Sequence, residues 1–178
     1  MSEVLASIES EFRRYESLGR RALEQLGGED LGRRPLGDGN SVAVLVWHVA
    51  GNLESRFTDF LSSDGEKAWR DRESEFGDRQ VAPAEARAKW ERGWSVLFAT
   101  LRTLSEADLT RTVTIRGQAL SVVEALHRSL AHASHHVGQI VQLARALRGA
   151  GWTYLSIPPG KSEEFNRKLA GGKDPERS

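Results

Sequence analysis

The sequence predicts an all-α fold, a four-helix bundle with a long charged loop between its second and third helices. Two observations lead there. Four long stretches carry apolar residues every three or four positions, the spacing of one helix face. Glycine and proline clusters punctuate the chain between them. Four amphipathic helices in one small chain bury their stripes against one another. The 178 residues are enough for one such domain with a sizeable core, placed at 1–170, and the polar stretch 171–178 reads as a disordered tail.

The first helix runs from Ser2, its cap, to Leu26, with Leu5, Ile8, Phe12, Tyr15, Ala22 and Leu26 as its buried stripe. Gly27 and Gly28 end it. A connector, Gly28 to Gly39, is expected to tuck Leu31 and Leu36 under the end of the bundle. Asn40 or Ser41 opens the second helix, which is expected to reach about Ser62. Its face then carries Leu45, His48, Asn52, Ser55 or Arg56, and Asp59.

Ser63 to Ala82 is the charged loop, and its Trp69 and Phe76 predict that it docks on the bundle. Pro83 suits the first position of a third helix. That helix reaches about Leu104 and buries Trp90, Trp94, Leu97, Leu101 and Leu104. Ser105 to Leu109 reads as a short helical turn, and the alternation of Arg111 to Arg116, with Gly117 and Gln118, as a small hairpin.

Ser121 with Glu124 forms a capping box for the fourth helix, which ends at Arg148 before Gly149. Its stripe is Val122, Leu126, Leu130, Ala133, Val137, Ile140, Ala144 and Leu147. Pro158 and Pro159 force an extended tail, and Ser162 caps a last short helix to Leu169.

Composition narrows the chemistry. Lysines plus arginines equal aspartates plus glutamates at 25 each, which argues against a nucleic-acid footprint. There is no cysteine, so disulfides, thiolate nucleophiles and cysteine zinc sites are excluded. The acidic first residues do not resemble a signal peptide, and no apolar run is long enough to span a bilayer. The expectation is a soluble cytoplasmic protein with a small-molecule substrate, and with neither nucleic acid nor membrane as partner.

Four of the five histidines lie in the fourth helix. His132 and His136, four apart, stack on one face beside the apolar stripe, and two imidazoles at that spacing can converge on one metal ion. The same pair can equally be hydrogen-bonded core histidines; a third ligand would separate the readings. His127 and His135 fall out of that register and read as surface or rim residues. His48 stands in the otherwise apolar run V-L-V-W-H-V-A. A neutral histidine there wants hydrogen-bond partners or a metal. His48, His132 and His136 together would leave coordination positions open, as catalytic zinc sites do. Ala133 stands where an H-E-x-x-H peptidase needs its glutamate, and no G-x-S-x-G is present.

Trp47-His48, the H-x-x-x-H of His132 and His136, and the helix order resemble the DinB-like superfamily. The string from Trp47 to Phe76 and the closing L-S-I-P-P-G-K-S-E-E-F-N resemble a branch of bacterial proteins without an assigned reaction. The resemblance implies an up-up-down-down bundle, a homodimer, and His48, His132 and His136 as ligands of a divalent metal, zinc or nickel in relatives. Some relatives are transferases or isomerases that use a low-molecular-weight thiol such as bacillithiol or mycothiol, whose pKa the metal lowers. Asn52 and Arg56, one and two turns beyond His48, are candidates to hold an anionic substrate. Arg56 can instead pair with Asp59, Glu73 or Glu75 and pin the loop. Trp69, Arg70 and Arg72 are placed as a lid on loop length alone.

Overall fold

The computed structural model describes residues 2–170, so the stretch 171–178, read as a disordered tail, lies outside the described residues. Four long helices dominate: α1 (Glu3–Leu23), α3 (Val42–Phe57), α4 (Pro83–Thr103) and α5 (Val122–Arg148). A short helix, α2 (Gly28–Gly32), follows the first, and α6 (Ser162–Ala170) comes last. One two-stranded antiparallel hairpin, β1 (Thr112–Ile115) and β2 (Gln118–Ser121), precedes α5. The architecture is therefore mostly helical. Each long helix packs on two others: α1 on α4 and α5, and α3 on the same two. Among the described residues no helix is long and apolar enough to cross a membrane.

The helix starts follow from local chemistry. Ser2 accepts from the Leu5 amide and Ser41 from the Val44 amide, each satisfying a donor that the first turn leaves free. Ser121 and Glu124 exchange hydrogen bonds as a full capping box. The expected stripes are the buried ones, from Leu5, Ile8 and Phe12 through Trp90, Trp94 and Leu97 to Ala133, Val137 and Ile140. Phe12 sits edge-on to both Trp94 and Phe57, with ring centroids 6.2 and 6.4 Å apart.

α3 is the centre of the molecule. Every residue of it except Trp47 is buried. A helix apolar on all sides needs neighbours all round, and α4, α5 and the loop supply them. Its polar residues are buried with it, so each needs a partner.

Four sequence expectations need correction. α3 stops at Phe57, not near Ser62, because Thr58 turns extended and Asp59 takes a left-handed conformation with φ 48°. Asp59 therefore leaves the His48 face, and its carbonyl accepts from the Ser62 and Ser63 amides. Leu31 is buried, but Leu36 is 67% exposed, since Pro35 and the following turn carry it outward. Trp69 is 59% exposed and does not anchor the loop. Phe76 does, as described below. The first helix ends at Leu23, three residues early, with Gln25 and Leu26 in a tighter turn.

The hairpin and the loop hold each other. Arg116 and Gly117 both have positive φ, the requirement of a two-residue turn that matches strand twist. The Asp64 carboxylate accepts from the amides of Glu66, Arg116 and Gly117. Those backbone donors, Glu66 first, hold its pKa down at about 2. The extended segment after α5 lies along α1, where Gln25 bonds both backbone groups of Thr153 and Arg21 bonds the Leu155 carbonyl.

α3 and α4 pack tightly at Gly93, where a Cβ would stand 2.6 Å from the Ala50 Cα. Gly93→Ala should lower stability by about 1–3 kcal/mol through overpacking. Urea unfolding should show a lower midpoint at unchanged slope; an unchanged midpoint would mean the two helices can move apart freely.

Candidate metal centre

His48 comes from the middle of α3, and His132 and His136 from successive turns of α5. The packing of α3 on α5 brings them together. One nitrogen from each ring lies within 4.8 Å of the other two, an arrangement that can hold a metal ion. The Nε2 atoms of His48 and His132 are 3.1 Å apart. Two nitrogens about 2.0–2.1 Å from a tetrahedral zinc stand roughly 3.3 Å apart, so this spacing fits a shared ion. His48 is buried, and the other two are half-buried. His127 and His135 are exposed, as their register predicts.

Two of the three rings are aimed by a further group. Glu75 Oε2 lies 2.9 Å from His48 Nδ1. A carboxylate only accepts, so Nδ1 carries the proton and Nε2 presents its lone pair toward His132. Gln139 Oε1 is 2.7 Å from His136 Nδ1 and fixes that ring in the same sense. Glu75 is itself gripped by Arg70, whose Nε and Nη2 reach its two oxygens at 2.8 and 2.9 Å. This is a bidentate pair with both side chains almost fully buried. Phe76 packs on the His48 ring with centroids 4.8 Å apart. Arg72 covers Phe76 in turn.

The electrostatics favour neutral imidazoles at His132 and His136. Burial, then the neighbouring His136 and His48 rings, push the His132 pKa down from 6.5 to about 3. Burial also lowers that of His136, against the opposing hydrogen bond that its Nδ1 donates to Gln139. Burial works to raise the Glu75 pKa, but hydrogen bonds from His48 and Arg70 outweigh it and keep the carboxylate below its ordinary value. Neutral imidazoles beside a fixed carboxylate are ready to ligate without first losing protons.

A pocket of about 210 Å³ opens on His48 and His132, and both Asn52 and Arg56 line it. Arg56 also pins the loop, through Glu66 at 3.1 Å and the Gly65 carbonyl; Asp59, Glu73 and Glu75 are not its partners. Of the three residues placed as a lid, Arg70 and Arg72 line the pocket and the exposed Trp69 does not.

Sequence reasoning missed Glu75 and Gln139. Gln139 was within reach, since it sits three residues after His136 on the same helix face. Glu75 is 27 residues from His48, and one glutamate among many in a charged loop carries no mark. Its signal is on α3: a Cβ at Gly51 would meet Glu75 Oε1 at 2.3 Å. The glycine is the gap through which the carboxylate reaches His48.

The chain matches, over residues 1–161, the family described as Protein of unknown function (DUF1572), and it belongs to that family. No curated protein matches it.

Two outcomes follow. Glu75→Gln and Gly51→Ala should each weaken metal binding about 10–100-fold, by removing or displacing the acceptor that orients His48. Competition with a fluorescent chelator reads this; unchanged affinity in both would show that Glu75 does not orient the ring. The second concerns metal-free protein. His132 has a folded pKa below its unfolded one, so its contribution is present above pH 6.5 and is lost as pH falls toward about 3. Denaturation of chelator-treated protein should therefore show stability falling below pH 6.5, and His132→Gln should flatten that slope.

Proposed function

We propose that this family member is a divalent-metal-dependent protein of the DinB-like type. On this reading the ring of four long helices is an up-up-down-down four-helix bundle, and the charged segment between α3 and α4 is its functional loop. The grouping of the family with DinB-like proteins supports it. The observation that carries it is the convergence of three imidazoles within 4.8 Å, two of them with the remote nitrogen held by a carboxylate or amide oxygen. Core histidines need hydrogen-bond partners, and the His48–His132 contact at 3.1 Å supplies one, but they need not bring a third ring to the same point.

Neutral imidazoles suit zinc or nickel. Bound there, such an ion supplies Lewis acidity, enough to lower the pKa of a small thiol or polarise an electrophile. The chain's own residues do the rest. Glu75 keeps the Nδ1 proton of His48 in place. Asn52 offers amide donors and an acceptor to the ligand, and Arg56 holds the pocket wall through Gly65 and Glu66. The reaction class that fits is thiol-dependent transfer to, or isomerisation of, a small electrophile. A homodimer and a cytoplasmic setting belong to the same reading, on the resemblance to relatives.

One observation favours a second reading, a metal-binding or stress-related bundle without turnover. Glu66 and Glu75, which pair with arginines that line the pocket, are both committed to them, and among the described residues no carboxylate lines the pocket to act as general base.

Elemental analysis of tag-free protein should find about one zinc or nickel per chain, and His48→Ala should lose most of it. Full occupancy in that variant would remove His48 from the ligand set, and metal-free wild type would sink the reading. A screen of small thiols with electrophiles then separates the two: turnover selects the enzyme, tight metal without turnover the binding module.

A further inference from the structure

We propose that the pocket beside the histidines binds a small molecule through an oxyanion, a carboxylate or phosphate group, between Arg128 and the loop arginines Arg70 and Arg72. This deepens the metal reading by naming the charge of the ligand. It rests on that reading only for what the ligand's other end meets.

Among the described residues, five arginines line this pocket of about 210 Å³, Arg56, Arg70, Arg72, Arg116 and Arg128, and no carboxylate does. The carboxylates around it are fewer. Glu66 takes Arg56 and Arg116, Glu75 takes Arg70, and Glu73 takes Arg72. The surplus is two positive charges. In a chain whose net charge is zero, such an imbalance in one concavity is local and sets the sign of what enters.

Two of these groups have donors to spare. Arg70 is tied to Glu75 through Nε and Nη2, while its buried Nη1 has no hydrogen-bond partner among the described residues and lies 4.0 Å from Glu66 Oε1. Leaving such a donor unpaired is costly, and an acceptor arriving with a ligand removes the cost. Arg128 is exposed and enters none of the ion pairs around the pocket. It precedes His132 by four residues on α5, so its head group and the His132 ring leave the helix on one side. Arg72 lines the pocket from the loop, its guanidinium over Phe76, which packs on His48. Planar guanidiniums from helix and loop match the paired oxygens of a carboxylate or phosphate. The buried Asn52 and Ser129 add neutral donors between them. The volume admits a small molecule and not a polymer backbone.

The test is calorimetric titration of tag-free protein at low ionic strength with inorganic phosphate and, separately, with succinate, with the metal content of each sample measured. Wild type should bind at least one of them. Binding of phosphate alone assigns a phosphoryl group, and of succinate alone a carboxylate. Arg128→Ala, at an exposed and unpaired side chain, should keep the fold and the metal content and weaken binding about ten-fold or more. Arg145→Ala, which removes a guanidinium stacked on Tyr154 outside this pocket, should bind as wild type does. Failure of wild type to bind either anion, or an Arg128→Ala affinity within about twofold of wild type, overturns the proposal. Metal-free wild type that still binds the anion through Arg128 would overturn the metal reading and leave this one standing.

Discussion

One buried carboxylate holds the centre together. Glu75 accepts from His48 on α3 and from Arg70 in the loop, so helix and loop are joined through a single charged group. Its own burial is tolerable only because both oxygens are met. Removing one partner of such a buried pair would leave an uncompensated charge and cost roughly 3–5 kcal/mol. The same contact sets the proton on His48 and therefore the face that His48 shows to His132. Loop position, ring tautomer and ligand geometry are thus one constraint.

The rest of the loop follows the same logic of satisfied burial. Ser55 and Arg56 both bond the Gly65 carbonyl, and Arg56 pairs with Glu66, so two polar residues of a buried helix find their partners in the loop. Asp64 then clips the hairpin turn to that loop through the Arg116 and Gly117 amides. The hairpin leads directly into the capping box of α5. A chain of hydrogen bonds thereby runs from the helix carrying His48 to the start of the helix carrying His132 and His136. This explains why a long charged segment is ordered: its charges are the partners that the core's polar residues need.

Much of this was legible in the sequence, and the parts that were not share a cause. Helix existence, the capping box and the buried stripes are local, set by spacings of three and four and by single capping side chains. His132 and His136 could be paired on spacing alone, and His48 stood out as a polar residue in an apolar run. The end of α3 could not be read, because Asp59 in a left-handed conformation is held by a turn that competes with one more helical turn. Trp69 misled because an aromatic in a loop can face out as well as in, whereas half-buried Phe76 docks by its contact with a ring 28 positions away.

By itself, then, the sequence determined the helices, their inner faces and the three histidines that could meet, since each depends on residues within a turn or two of one another. Only the tertiary structure decided which carboxylate serves His48, which acid takes Arg56, and that five arginines share one concavity with three acids to pair them. The physical reason is the range of the forces involved. Periodicity and capping act along the chain and are written in its order. Charge pairing acts through space, and with 25 acidic and 25 basic residues almost every pairing is open until packing chooses among them.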